Sequence, residues 1–326
     1  MLLVTGGAGF IGSNVVASLN AAGRTDIAVN DALGIDGRWR NLGKRQIADV
    51  VPPADLWRWL DGRPLEAVIH LGAISDTTAT DADLVIATNF RLPLRLLDWC
   101  TIHRIRFIYA SSAATYGDGS AGFVDDGAPE ALRKLAPLNL YGWSKHLFDL
   151  VVADRVAKRE NLPPQWAGLK FFNVFGPNEY HKGAMASVLA RVFDSAQAGA
   201  PVRLFKSHRE GIADGDQRRD FIYVHDAVAV VRWLLENPSV CGLYNVGTGT
   251  ARSFRDLITA MFAALKRPPA IEYVDMPPEI RPNYQYFTQA ETDNLRAAGF
   301  TAQFMPLEAA VTDYVTRFLM QPDRYR

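Results

Sequence analysis

Three side chains in this sequence have the chemistry to move a proton and hold an oxygen together: Ser112, Tyr141 and Lys145. The segment Tyr141-Gly142-Trp143-Ser144-Lys145 sets a phenol and an ammonium four residues apart. On a helix those two side chains share one face. A nearby cation favours the phenolate, so Lys145 is expected to lower the Tyr141 pKa towards the range of a general base. Ser112 follows the apolar run Arg106-Phe107-Ile108-Tyr109-Ala110-Ser111, at the carboxyl end of an expected strand. There its hydroxyl can hold a substrate alcohol or a developing carbonyl.

A second constellation lies at the start of the chain. Thr5-Gly6-Gly7-Ala8-Gly9-Phe10-Ile11-Gly12 separates the apolar run Met1 to Thr5 from a helical pattern that runs from Phe10 to Ala22. Glycine suits a tight turn whose backbone must approach a pyrophosphate, and the amides of the following helix then face the anion. Asp31 comes 19 residues after Gly12, near the spacing of a carboxylate that binds the adenosine ribose. Asp31 alone favours NAD, while Arg38 and Arg40 close behind it could clamp the 2′-phosphate of NADP. These residues leave both cofactors open.

The elements that must carry these residues alternate. Asp26–Asp31, Leu65–Leu71 and Arg106–Ser111 read as short buried strands, and Asp81–His103 has helical spacing. Strand and helix in alternation predict an α/β fold, a doubly wound parallel sheet of the Rossmann type with its ligand at the carboxyl ends of the strands. Past residue 170 the rhythm loosens. Asn173–Lys182 reads as an ordered loop leading into a helix near Ala184–Ala198, Ser207–Arg219 as a polar mobile loop, Leu243–Val246 as a strand, and Pro268–Pro282 as a Pro-punctuated connection. The expected division is a dinucleotide-binding domain over 1–172 with a segment returning at about 220–248. A smaller mixed α/β substrate-binding lobe is expected over 173–219 and 249–326.

The chain has 326 residues, with 35 Lys+Arg against 35 Asp+Glu. Zero net charge lacks the Lys/Arg surplus of a nucleic-acid binder. No apolar run approaches the roughly 18 residues of a membrane span. With Cys100 and Cys241 as its only cysteines and no secretory leader expected, a reducing, cytoplasmic setting is expected. None of the six histidines stands at a metal-ligand spacing, so no metal is expected. Trp57 and Trp59 read as packing residues.

Together, the glycine turn, Ser112 and Tyr-x-x-x-Lys resemble the extended short-chain dehydrogenase/reductase superfamily over nearly the whole chain. Asp49-Val50, His70-Leu71-Gly72-Ala73, Asn89, Asn173-Val174-Phe175-Gly176-Pro177 and Arg218-Arg219-Asp220-Phe221 also fit it. Three stretches resemble its ADP-L-glycero-D-manno-heptose 6-epimerase branch more specifically. They are Ser111–Gly117, His181-Lys182-Gly183-Ala184-Met185-Ala186-Ser187, and Phe287–Ala290 leading to Asn294–Gly299.

That resemblance implies an NADP enzyme, with NAD as the alternative, that inverts C6 of an ADP-heptose through a transient 6-ketone for lipopolysaccharide core assembly. It implies Tyr141 and Lys182 as the two acid–base groups, with Ser112 and Lys145 completing the catalytic set. The implied cofactor contacts are Gly6, Gly9, Phe10, Ile11, Gly12, Asp31, Arg38, Asp49, Leu71, Gly72, Ala73, Asn89, Tyr141, Lys145, Val174 and Lys182. The implied substrate contacts are Ser112, Asn173, Ala184, Arg191, Arg203, Lys206, Arg219 and Tyr284, with Arg219 on the diphosphate. A homo-oligomer is also implied. Ala32, Ala184 and Arg191 depart from the usual Asn, Ser and His, and residues 210–217 enlarge a loop. Ala113 and Ala114 replace the Asp-Glu pair with which related dehydratases expel water. A UDP-hexose 4-epimerase would need Ser112, Tyr141 and Lys145 but leaves Lys182 unexplained. A non-catalytic dinucleotide sensor would not need the intact trio.

Overall fold

The computed structural model describes residues 1–326 except 279, 280, 282 and 283. Its strands are β1 (Leu2–Thr5), β2 (Ile27–Asn30), β3 (Asp49–Val51), β4 (Ala67–His70), β5 (Arg106–Ser112), β6 (Trp166–Phe171), β7 (Asn173–Phe175), β8 (Val202–Phe205), β9 (Arg218–Tyr223), β10 (Gly242–Val246), β11 (Ala251–Ser253) and β12 (Ile271–Val274). The helices are α1 (Phe10–Ala21), α2 (Leu56–Leu60), α3 (Ala82–Ile86), α4 (Leu92–His103), α5 (Pro129–Leu132), α6 (Leu140–Ala157), α7 (Val188–Gln197), α8 (Val224–Glu236), α9 (Phe254–Ala264), α10 (Asp293–Ala297) and α11 (Leu307–Tyr314).

Seven strands form one parallel sheet in the order β10-β6-β5-β4-β1-β2-β3. Strands buried on both faces need apolar residues at consecutive positions, and β1, β2 and β4 are buried throughout. The pleat sends Leu2 and Val4 into a core shared with α1, α8 and α11, and Leu3 into another with α2, α4 and α6. Each fully buried Val, Leu or Ile contributes about 1.5–3 kcal/mol, so both faces must be covered. The strand order reverses between β1 and β4, which opens a crevice at their carboxyl ends. Thr5 and His70 stand opposite one another there, and Thr5 Oγ1 lies 2.7 Å from His70 Nδ1.

The helical spacing over 81–103 corresponds to α3 and α4 joined by a wide π turn at Ala87–Arg91. Pro93 brings no N–H to the ladder, so the backbone there cannot close regular α bonds. The turn carries Asn89.

The later half differs in detail from the sequence reading. Asn173–Phe175 is a strand rather than loop, and it pairs with β9 in a small sheet ordered β11-β9-β7. The following helix begins at Val188 instead of near Ala184. Gly183 adopts φ +54, Ala186 is extended, and the Ser187 hydroxyl caps the helix by accepting from Ala190 N–H at 3.3 Å. The Pro268–Pro282 stretch contains β12, which pairs in parallel with β8. After this excursion, α8 packs against α1 and β10 takes the edge of the large sheet beside β6. Among the described residues no helix is long and apolar enough to cross a membrane.

Candidate active site

The carboxyl ends of β1, β4 and β5 open into one cavity of about 760 Å³. Its floor is the glycine turn. Gly6 has φ +66, and a Cβ there would stand 2.6 Å from the backbone of Gly72. A Cβ on Gly12 would overlap the Gly6 carbonyl oxygen. The two turns after β1 and β4 thus interlock backbone to backbone, which only residues without a side chain permit. Helix α1 begins at Gly9 without any side-chain cap, and Gly9, Phe10, Ile11 and Gly12 line the cavity. Uncapped first-turn amides facing a hollow suit an anionic diphosphate.

Asp31 and Arg38 stand on the same wall. The Asp31 carboxylate accepts from Ala8 N–H at 2.9 Å, and Arg38 lies 3.7 Å from its other oxygen. Burial pushes Asp31 up, opposed by the Ala8 amide and Arg38. Arg38 also pairs with Asp36 at 2.6 Å. Leu71, Gly72, Ala73 and Val174 complete the rim.

Ser112, Tyr141 and Lys145 line the same cavity. Helix α6 starts here because the Asn139 side chain accepts from Gly142 N–H at 2.8 Å. Gly142 lets the helix press on the turn after β5, since a Cβ there would lie 2.6 Å from the Ala114 carbonyl. That approach brings Tyr141 to Ser112. The Ser112 hydroxyl accepts from Ala114 N–H at 3.1 Å, and Lys145 Nζ donates to the Ala110 carbonyl at 2.9 Å. Burial lowers Lys145 to about 8, with Asp149 acting in the opposite sense.

The expected lowering of Tyr141 by Lys145 is not what the structure gives. Burial raises the phenol, and Ser112 rather than Lys145 works against that rise. The ammonium is directed at a backbone carbonyl instead.

Lys182, on the turn Tyr180–Met185, also lines the cavity. Its ammonium sits 5.4 Å from the Phe10 ring, and burial lowers its pKa. Asn173 also lines the cavity.

Other residues implied by resemblance fall elsewhere. Asn89 is buried behind the wall, where it exchanges bonds with both backbone groups of Ile74 and donates to Ser144 Oγ at 3.0 Å. Asp49 accepts from Trp59 Nε1 at 2.7 Å and does not line the cavity. Ala184 is exposed beyond Lys182. Arg191 lines a separate hollow with Trp39 and Tyr325. Arg203 and Lys206 project from and beyond β8, near Glu272 and Asp275. Arg219 is buried between the rings of Phe254 and Tyr284, donating only to the Arg218 carbonyl; among the described residues no carboxylate pairs with it.

The sequence reading omitted a buried network behind the trio. Asp149 accepts from Ser111 Oγ at 2.6 Å, Lys170 Nζ at 2.9 Å and Tyr109 O–H at 3.2 Å. Lys170 continues to Thr115, whose hydroxyl donates to the Ser112 carbonyl at 2.8 Å. The available signal was spacing, since Asp149 lies one further helical step of four beyond Lys145. It also omitted Glu179.

A glycine cradle at a sheet's switch point, sharing its cavity with a Ser, Tyr and Lys set, suits a dinucleotide-binding enzyme with a proton-transfer group at hand. Residues 2–247 match the NAD dependent epimerase/dehydratase family, and the chain belongs to it. Its cofactor is accordingly a nicotinamide dinucleotide. More particularly, the chain is 45% identical over 335 residues to the ADP-L-glycero-D-manno-heptose-6-epimerase of Fusobacterium nucleatum, with each protein covered in full. A crystal structure of the Helicobacter pylori ADP-L-glycero-D-manno-heptose-6-epimerase superposes with TM-score 0.81 at 28% identity, over 97% of this chain and 95% of that one. A Thermus thermophilus UDP-glucose 4-epimerase in complex with NAD superposes with TM-score 0.72 at 26% identity, over 96% and 98%.

Proposed function

We propose that this protein inverts C6 of ADP-glycero-manno-heptose by oxidation to a 6-ketone and reduction from the other face, with NADP as its bound cofactor. The observation that carries this reading is that two proton-transfer groups, Tyr141 and Lys182, line one cavity. A secondary alcohol carbon has no acidic hydrogen, so direct deprotonation is not feasible, whereas a transient planar carbonyl can be reduced from either face. When bound, the nicotinamide accepts hydride from that carbon and returns it. The substrate oxygen points one way before inversion and another way after it, so one base cannot serve both orientations. Tyr141, with Ser112 beside it, handles the proton in one orientation, and Lys182 does so in the other. Lys145 holds the wall at Ala110 and presents its ammonium beside the ribose and nicotinamide site.

Gly6, Gly9, Gly12 and the first turn of α1 would hold the pyrophosphate, and Asp31 the adenosine ribose. Arg38 supports NADP over NAD, because its guanidinium lies on the cavity wall next to Asp31. The Arg219 guanidinium, buried between two aromatic rings without a carboxylate, suits the diphosphate of the sugar nucleotide. Lys182 distinguishes this reading from a UDP-hexose 4-epimerase. The remaining roles implied by resemblance, a homo-oligomeric cytoplasmic enzyme serving lipopolysaccharide assembly, belong to the same proposal.

The test is to mix purified protein, without added nicotinamide, with ADP-D-glycero-D-manno-heptose and follow the sugar by proton NMR. Appearance of the C6 epimer supports substrate, reaction and a self-recycling cofactor together. If no epimer forms while cofactor is extracted from the protein, the ADP-heptose assignment fails.

A further inference from the structure

Glu179 is a fully buried carboxylate that the proposed chemistry leaves unused. It accepts from four donors: Gly176 N–H at 3.2 Å, Ser187 N–H at 2.6 Å, Ser187 O–H at 2.7 Å and Tyr314 O–H at 3.1 Å. Burial raises the Glu179 pKa, while the Ser187 hydroxyl and amide, Lys182 and the Gly176 amide favour the carboxylate form. A carboxylate enclosed in this way costs free energy that a neutral side chain of the same shape avoids. It must therefore do more than fill space.

The donors come from three places: just past β7, the cap of α7, and α11. Through Gly176 and Ser187 the carboxylate ties together both ends of the loop 176–187. Lys182 lies inside that loop, and its own amide donates to the Glu179 carbonyl at 3.0 Å. Asn14 and Asn41 also donate to the Pro177 and Asn178 carbonyls, but the tip is open, since Gly183 and Ala184 are exposed and nothing approaches the position of a Gly183 Cβ. Among the described residues no carboxylate forms an ion pair with Lys182, and Glu179 is the group whose charge favours its ammonium form.

Other titratable groups surround the pair. Tyr180 and Tyr314 flank the carboxylate, and both phenols are pushed up by burial. His181 sits beside Lys182 and is held down at about 4, chiefly by burial and then by Arg38. Arg38 and Asp36 lie beyond it, while Asp76, Tyr141 and Lys145 share the cavity wall. α1 contributes no titratable group, only the Phe10 ring and the Ser13 and Asn14 side chains.

We propose that Glu179 is a positioning residue for Lys182: its carboxylate joins Gly176 to Ser187 and so fixes the loop that carries the ammonium to the cavity. The proposal rests on the reading of Lys182 as the second acid–base group.

The test reads the titration of Lys182 directly. The holoenzyme is labelled with trace acetic anhydride across a pH series, and acetylation of the Lys182 peptide is quantified by mass spectrometry. In Glu179→Gln the midpoint should fall by about one pH unit, because the ammonium has lost its anionic neighbour. kcat should fall about tenfold or more with KM little changed, and its Lys182-dependent limb should move the same way. A folded Glu179→Gln protein with an unmoved midpoint and wild-type kcat overturns the proposal. If that variant does not fold, Tyr314→Phe removes one donor while leaving the charge. A kcat reduced about threefold or more at constant KM supports the proposal there, and an unchanged kcat overturns it. Lys182→Met separates the two claims. Full epimerisation by that variant removes the role of Lys182 itself, whereas loss of turnover with Glu179→Gln unaffected removes only the role of Glu179.

Discussion

The glycine turn after β1 and the loop carrying Lys182 line one cavity and touch each other, but they are built in opposite ways. Gly6 and Gly12 hold their turn by bringing backbone against backbone, with no room for a single methyl group. The 176–187 loop is open at Gly183 and is held by side chains: Glu179 gathers donors from Gly176, Ser187 and Tyr314, while Asn14 and Asn41 donate to the Pro177 and Asn178 carbonyls. The first arrangement suits a diphosphate that stays bound through every turnover. The second suits a group that must meet a sugar in one of its two orientations. Damage on the first side should therefore release cofactor, and damage on the second should slow chemistry while cofactor stays.

Five measurements sharpen or break that contrast. Tyr141→Phe should lower kcat by about 10²–10⁴-fold while the purified protein keeps its cofactor; wild-type turnover would end the assignment of the phenol. Lys182→Met should slow epimerisation about a hundredfold, again with cofactor retained on extraction. Loss of cofactor from this variant would place Lys182 with the glycine turn instead. Gly12→Ala forces a Cβ onto the Gly6 carbonyl, so it should cost about 1–3 kcal/mol in denaturant unfolding and yield protein stripped of cofactor. A stable, cofactor-loaded Gly12→Ala protein would show that the cradle can relax. Arg38→Ala should weaken NADP about tenfold by titration calorimetry with little change for NAD. Equal losses for both would count against a 2′-phosphate contact.

The smallest effect concerns Lys145, which is buried and lowered to about 8. Between that value and the ordinary lysine pKa, the unfolded chain holds a proton that the folded one has released. Stability should therefore rise with pH across this window, by about 1 kcal/mol per unit at most. Below pH 8 both states are protonated and the cost of the buried ammonium is fully present. The slope should vanish in Lys145→Met, compared with wild type by urea unfolding of cofactor-free protein at pH 7.5, 8.5 and 9.5.

How much of this was legible in the sequence follows from the same contrast. The glycine spacing, β1, β4 and β5, and the Tyr141–Lys145 pair are local patterns, and a parallel sheet follows from the alternation of apolar runs with helical spacing, although β3 and β6 are not among the strands it marks. What escaped depends on residues far apart in the chain. β12 was hidden in a proline-rich stretch because its pairing partner, β8, lies about 70 residues earlier. The helix before Ala198 was started too early, since Lys182 to Ala186 has helical composition but Gly183 turns left-handed. The direction of the Tyr141 shift was misread because spacing on a helix reveals a neighbour, not the carbonyl to which that neighbour turns. Asp149, Lys170 and Glu179 carry no motif of their own, and their meaning comes only from the groups that surround them.

The place of β10 in the large sheet has a consequence for how the protein is made. β6 is complete at Phe171, but its outer edge stays unpaired until β10 is translated about 75 residues later. At about 5–20 residues per second, a ribosome exposes that edge for several seconds. During this interval the nascent chain presents a row of free backbone donors and acceptors on an apolar strand, the kind of surface that recruits a neighbouring polypeptide. A polysome making this protein is thus most vulnerable to co-aggregation while residues 172–246 emerge, and chaperone occupancy on the nascent chain should peak there and fall once Val246 clears the exit tunnel.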